Sequence, residues 1–242
     1  MNDLVNIWVY LASSPLLWLT VTLLVYGFGH WCMQKSGNNP AVNPVAIAAI
    51  LIILLLQGSG TSYQTYFEGA QFVHFMLGPA IIALAVPLVR NLPKVRASLI
   101  PMIAALFVGA STAVISAVLT AVWLGATPAV TLSMAPKSVT TPIAMGISER
   151  IGGLPSLTAA MVVGTGVLGA IIVTPLLNLL RIRDWRARGF AVGTVSHGVG
   201  VARAFQVHEV AGVFAAMALC LNALITPIVV PVIVGLLKGM IG

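Results

Sequence analysis

The sequence predicts an all-α fold: a polytopic membrane helical bundle with interrupted or re-entrant helices, open to an inverted-repeat arrangement. Three observations predict it. Hydrophobic residues make up 59% of the chain and charged residues only 7%, where a soluble domain carries about 25% charged residues. Charge-free runs cover 4–34, 36–67, 69–89, 97–136, 151–180 and 210–237, each long enough for a helix of about 20 residues across a hydrocarbon core of about 30 Å. These runs lack the strict polar–apolar alternation of a membrane barrel. A lone charge, Lys137, interrupts the long apolar stretch between Arg96 and Glu149.

Taken in order, the first helix is expected over 7–31, ended by Ser36-Gly-Asn-Asn-Pro40. The N-terminus lacks the basic region of a secretory signal, so this run is expected to remain as a helix. A second helix covers 42–56, before Gly58-Ser-Gly60. The segment 68–91 carries a helix break at Gly78 and Pro79 and a further proline at Pro87. Helices follow over 97–124 and 156–180, with the Lys137 segment, 132–148, between them. The segment 187–205 is broken around Ser196-His-Gly-Val-Gly200, and a last helix covers 212–237. No linker is long enough for a soluble domain, so residues 1–242 are read as a single transmembrane domain.

The net charge of +7 does not indicate nucleic-acid binding. The basic clusters Arg90, Lys94, Arg96 and Arg181, Arg183, Arg186, Arg188 stand at the ends of apolar runs, as positive-inside signals do. Both reach the cytoplasm only if 132–148 enters the membrane and returns. The segment broken at His197 then approaches from the cytoplasmic side, and two interrupted segments meeting from opposite faces form a transporter arrangement. An internal similarity points the same way. Gly78-Pro79, Pro87 and Leu92-Pro93 before one long helix parallel Ala135-Pro136, Pro142 and Leu154-Pro155 before another.

An ammonium at membrane depth costs roughly 2.5–3.5 kcal/mol, so Lys137 calls for compensation. Pro136 suits the first turn of a short helix, whose free N–H groups attract carboxylates. Lys137, Thr140 and Thr141 then share a helix face at i, i+3, i+4, and Ser138 adds a hydroxyl. The competing reading has Lys137 snorkelling to an interface while the hydroxyls bond their own backbone. In the second candidate, Gly198 and Gly200 permit a sharp break or close approach. His197 can donate to an anion or carry a proton, and Arg203 can clamp a carboxylate. A satisfied core histidine and a surface arginine are the alternatives. His74 is a weaker proton carrier, Glu149 a partner for Lys137 or Arg150, and Glu68, Glu209 and His30 solvated or interfacial groups. Cys32 and Cys220 read as small buried hydrophobes, neither a disulfide nor metal ligands.

No paired Asp or Asn-Asp stands in an apolar run, which weakens a cation/proton antiporter. The chain has no phosphate-binding loop, His/Glu metal motif or nucleophile elbow. It is therefore read as a non-enzyme without a cofactor, with coupling to H⁺ or Na⁺ left open.

Ser133-Met-Ala-Pro-Lys-Ser-Val-Thr-Thr-Pro-Ile-Ala-Met145, with Ile151-Gly-Gly-Leu-Pro-Ser-Leu-Thr-Ala159, resembles the signature of the LrgB/CidB family. So do Leu77-Gly-Pro-Ala80 and the segment from Arg188 to Arg203, including Ser196. Val199-Gly-Val201 departs from the expected Ile-Gly-Thr and removes a hydroxyl. The resemblance implies either of two roles. One is a carrier or exporter of small monocarboxylates, of the glycolate, glycerate, pyruvate or hydroxy-acid class. The other is a holin/antiholin-like regulator of murein hydrolase activity and autolysis. It also implies a multi-pass protein of the cell (inner) membrane with a small LrgA/CidA-like membrane partner. A homodimer follows only by analogy with other carriers.

Overall fold

A computed structural model describes residues 14–39, 41–76, 79, 82–83 and 85–241. Gly78, one of the two residues of the expected break, falls outside these residues. Among the described residues the regular structure is helical throughout, without strands. Two units are distinguished, one up to Ala85 and one from Val86 onward.

The first unit holds α1 (Pro15–Lys35), α2 (Pro44–Ser59) and α3 (Tyr63–Phe75). Proline opens α1 and α2 in the first turn, where its missing N–H costs nothing. Asn43 caps α2, its Oδ1 accepting from the N–H groups of Val45 and Ala46 at 2.9 and 3.2 Å. The buried Trp18 ring meets Tyr66 edge-on, centroids 5.8 Å apart.

The second unit holds α4 (Ala85–Arg90) from its second residue onward, then α5 (Leu92–Ala97), α6 (Leu99–Trp123), α7 (Pro128–Met134), α8 (Thr141–Ile151), α9 (Pro155–Leu179), α10 (Trp185–Val207), α11 (Glu209–Leu236) and α12 (Lys238–Ile241). Among the described residues four helices, α1, α6, α9 and α11, are long and apolar enough to cross a bilayer.

Two segments between these spans fold back on themselves. The first is α7, a turn over residues 135–140, and α8. Ser133, near the end of the inward arm, is bonded to residues at the end of the outward arm. Its Oγ accepts from the Leu154 N–H at 2.7 Å and donates to the Ala129 carbonyl at 2.6 Å. The Thr158 hydroxyl lies 2.7 Å from Ser148 Oγ and 3.0 Å from the Ser133 carbonyl. Ser133, Ser148 and Thr158 are fully buried, so this knot of hydroxyls satisfies itself inside the protein. It ties both arms to α9, so the Lys137 segment folds back on itself as the expected re-entrant path requires.

The second fold-back is α10. His197 stands at φ 39°, ψ −136° within an otherwise helical run, and the chain reverses there. Trp185, at the start of α10, stacks on His208, just past its end, with ring centroids 4.8 Å apart and planes 7° from parallel. In a straight helix these residues would lie roughly 34 Å apart. Gly200 passes so close to the other arm that a Cβ there would sit 2.8 Å from the Val192 carbonyl oxygen.

α11 packs against both hairpins. Gly189 and Gly193 of α10 lie directly on the backbone at Ala211 and Ala215, the close approach small residues permit between membrane helices. Phe190 packs with Val213 and Phe214, together with Met102 and Leu106 of α6. Towards the other end of α11, Val230 and Ile233 pack with Val139, Ala144 and Ile147 of the first hairpin and with Val118 and Val162. The bases of the two hairpins therefore lie towards opposite ends of α11.

Two expectations need correction. No helix begins at Pro136: residues 135–140 form the turn, α8 begins at Thr141 with Pro142 in its first turn, and Thr140 is the N-cap residue. Proline in the first turn sets the start where the chain offers two prolines, so Lys137 does not share a helix face with Thr140 and Thr141. The cysteines are free, but Cys220 is exposed and Cys32 only half-buried. Lipid tails are as apolar as a protein interior, so hydrophobic composition does not separate inward from outward faces.

Candidate functional site

The hairpin tips meet at Asn222, the fourteenth residue of the 28-residue α11. Its Nδ2 donates to the Ser138 carbonyl of the first tip at 3.2 Å and to the Thr194 carbonyl of the second at 3.0 Å. Its Oδ1 accepts from the Thr226 hydroxyl, one turn on, at 3.0 Å. Both carbonyls can only accept, so the amide nitrogen must face them, and its two N–H groups are then both used. The Thr194 carbonyl is available because the reversal at His197 removes the residues that would have donated to it within the helix. Asn222 is 2% exposed, so one buried amide links the two interruptions to the middle of a membrane span.

Two further polar groups at the tips lack partners. Ser138 Oγ, from the first hairpin, and Ser196 Oγ, from the second, are buried without a hydrogen bond. Native interiors leave few such groups, and each calls for an explanation. Lys137 is half-buried between the buried Pro136 and Ser138, and no partner for its ammonium is found among the described residues. Glu149 and Arg150 are exposed near the end of α8; Glu149 makes no ion pair with Lys137. Thr140 and Thr141 are partly exposed after the tip.

His197 is buried, and its Nε2 lies 2.9 Å from the Val162 carbonyl of α9. A carbonyl accepts only, so this nitrogen carries the proton and is committed. The ring is thus a satisfied core histidine that pins the reversal to α9. Gly166 makes room for it: a Cβ there would stand 2.6 Å from ring atoms Cε1 and Nε2. The reversal itself uses His197, not a glycine. A Cβ on Gly198 would meet nothing within 4 Å, whereas Gly200 is required by close approach. Arg203 belongs to the returning arm, near the base. Its Nη1 donates weakly to Gln206 Oε1 at 3.4 Å, and it borders a small space shared with Trp185 and Arg188. Pro136, Lys137, Ser138, Ser196 and His197 therefore belong to the tips, and Arg203 does not join them.

Sequence reasoning missed Asn222, Thr226 and Thr194. The available signal was Asn222 itself, an amide in the charge-free run 210–237 with a hydroxyl four residues on.

A cavity of about 510 Å³ runs beside this centre between α6 and α10. It reaches from Ser98, Asp184 and Arg186 at one end to Gly109, Thr194 and Val195, and its walls are mostly Ala, Pro, Met and Phe. At its mouth the Arg186 side chain hydrogen-bonds Asp184 and holds that carboxyl below the usual carboxylate range.

The family model described as the LrgB-like family matches residues 22–236. The chain is 34% identical over 208 residues to YwbG of Bacillus subtilis, covering 86% of this chain and 92% of that protein. It is 31% identical over 218 residues to the antiholin-like protein LrgB of Bacillus cereus, covering 90% of this chain and 95% of that protein. The antiholin-like protein LrgB of Bacillus anthracis is similar to the same degree. No solved structure matches significantly. Family coverage of most of the chain and four membrane-length helices lead to one conclusion: this multi-pass membrane protein belongs to the LrgB-like family.

Proposed function

We propose that the protein acts in the membrane as an antiholin-like regulator of murein hydrolase activity and autolysis. Similarity to antiholin-like relatives over nine-tenths of the chain carries this reading. A small LrgA/CidA-like membrane protein is the partner it calls for. The test is the rate of detergent-induced lysis in a host lacking its own family member, with and without this chain and such a partner. A slowed rate that depends on the chain supports the reading; an unchanged rate contradicts it.

A second reading is carriage of a small hydroxy- or keto-monocarboxylate. The meeting of the two folded-back tips at mid-helix, with one orphaned hydroxyl on each tip and, on the first, a lysine that has no partner among the described residues, supports it. Sites of this kind lie near the bilayer midplane in carriers built from broken helices. Lys137 supplies the charge for the carboxylate, and Ser138 and Ser196 are the hydroxyls free to bond it. Pro136 shapes the first tip, with Thr140 and Thr141 following it. His197, Gly198 and Gly200 shape the second tip. The test is saturable thermal stabilisation of the purified protein by a panel of short carboxylates, followed by uptake into proteoliposomes with and without a pH or sodium gradient. Lys137→Ala is expected to abolish both responses. No stabilisation across the panel, or unchanged uptake in the variant, leaves regulation as the surviving reading.

A further inference from the structure

We propose that the turn joining α9 to α10 is a binding site for the phosphodiester headgroup of an anionic lipid. It encloses a space of about 240 Å³ lined by Asn178, Arg181, Ile182, Arg183 and Arg188. Three arginines thus line one small space with no carboxylate in its lining. The neighbouring carboxylate, Asp184, is committed to Arg186, with Nη2 and Oδ2 2.7 Å apart.

Three observations distinguish this turn from an ordinary basic loop. First, Arg188 is held in place. Its Nη1 donates to Asn178 Oδ1 and to the Ile182 carbonyl, both at 2.9 Å, and its guanidinium carbon stands 5.1 Å from the Trp185 ring centroid. A pre-positioned guanidinium loses less freedom on binding an oxyanion. Second, Arg181 occupies a backbone position that favours glycine. Its φ is +55°, its N–H donates to the Asn178 carbonyl, and the Ile182 N–H donates to the Leu177 carbonyl, each at 3.0 Å. This is the Schellman closure of a helix, where glycine is the usual residue. An arginine here places charge at this point against its own backbone preference. Third, the turn follows an apolar surface: Leu179 is 78% exposed and Leu180 57%. A phosphate bound here has room for acyl chains along α9. Free phosphate gains nothing from such a flank, so the lipid is the occupant the surroundings fit, at the basic face where anionic lipids concentrate.

The test uses the full chain, purified in neutral detergent, with thermal unfolding followed as phosphatidylglycerol, phosphatidylcholine or inorganic phosphate is added. Phosphatidylglycerol is expected to raise the melting temperature saturably, and phosphatidylcholine is not. The double variant Arg181→Gly/Arg183→Gln is expected to bind phosphatidylglycerol roughly thirty-fold more weakly, the loss two surface arginines carry at an anionic leaflet. Its melting temperature without lipid should be no lower, because glycine suits the turn. Arg183→Gln alone, at an exposed side chain, is expected to show part of the loss and repeats the test if the double variant folds poorly. Arg96→Gln, in the other basic cluster, should keep the full response. Equal shifts with both lipids, retention of the shift in the double variant, or equal loss in Arg96→Gln would overturn the proposal. An equal shift with inorganic phosphate would also overturn it, as the site would then serve a soluble anion.

Discussion

At the residue scale, Asn222 carries more of the architecture than any charged group. Its amide replaces two donors that the broken helices lack, so truncation leaves two buried carbonyls unpaired. Each unpaired group costs about 1–3 kcal/mol in soluble proteins, and interhelical bonds in membranes average about 0.6 kcal/mol. Asn222→Ala is therefore expected to lower unfolding stability by roughly 1–3 kcal/mol in a denaturant titration; an unchanged midpoint would contradict the bridging role. Glycines on α9 give a second contrast. A Cβ on Gly166 would press into the His197 ring, while one on Gly164 would meet nothing within 4 Å. Gly166→Ala is expected to destabilise by about 1–3 kcal/mol through overpacking. Gly164→Ala should be neutral or slightly stabilising, since alanine is the better helix former. Equal effects would show that the ring does not occupy that space. Asn222 was not legible in advance. A single amide in an apolar run has many ways to be satisfied, and only the packed structure shows which carbonyls it meets. Lys137 was legible because a charge in such a run has few.

At the element scale, the reversal at His197 is the unusual feature. A non-glycine residue at φ 39°, ψ −136° holds a conformation that costs about 1–3 kcal/mol, offset in part by the bond to Val162. Two variants separate these terms. His197→Ala loses the bond and keeps the strain; His197→Gly loses the bond and releases it. His197→Gly is expected to be the more stable of the two by about 1 kcal/mol or more. The reverse order in thermal unfolding would mean that the chain does not reverse there. Most helices were legible from apolar runs bounded by Gly and Pro, and their ends agree with the structure to within a few residues. The start of α8 was not. Pro136 and Pro142 are equally suited to a first turn by local rules, and burial of the tip residues around Pro136, Ser138 and Val139 favours the second. The break of α10 was placed correctly, but glycine was given the role that histidine fills, because His197 is held by Val162, a residue 35 positions away.

At the scale of the second unit, the hairpins have their bases towards opposite ends of α11. The basic turn before α10 marks the cytoplasmic side by the charge rule, so the end of α8 faces the other way. Single cysteines at two exposed positions, Glu149→Cys and Ala187→Cys, test this in a background lacking Cys32 and Cys220. Membrane-impermeant maleimide is expected to label position 149 in intact cells and position 187 only in inverted vesicles. Labelling of both from one side would contradict the arrangement. The re-entrant path of the first hairpin was legible in the sequence from the two basic clusters, since one orientation satisfies both only if the intervening segment returns. The meeting point was not legible, because depth along a helix carries no signal in composition.

The claim underlying the architecture and the carrier reading is that the two folded-back segments touch one amide midway along α11. A density map of the protein in lipid nanodiscs, at a resolution that shows side chains, tests it most directly. It should show the chain reversing at His197, with Asn222 within hydrogen-bond distance of the carbonyls of Ser138 and Thr194. A continuous helix through His197, or an Asn222 side chain turned to lipid with those carbonyls apart, would contradict the account.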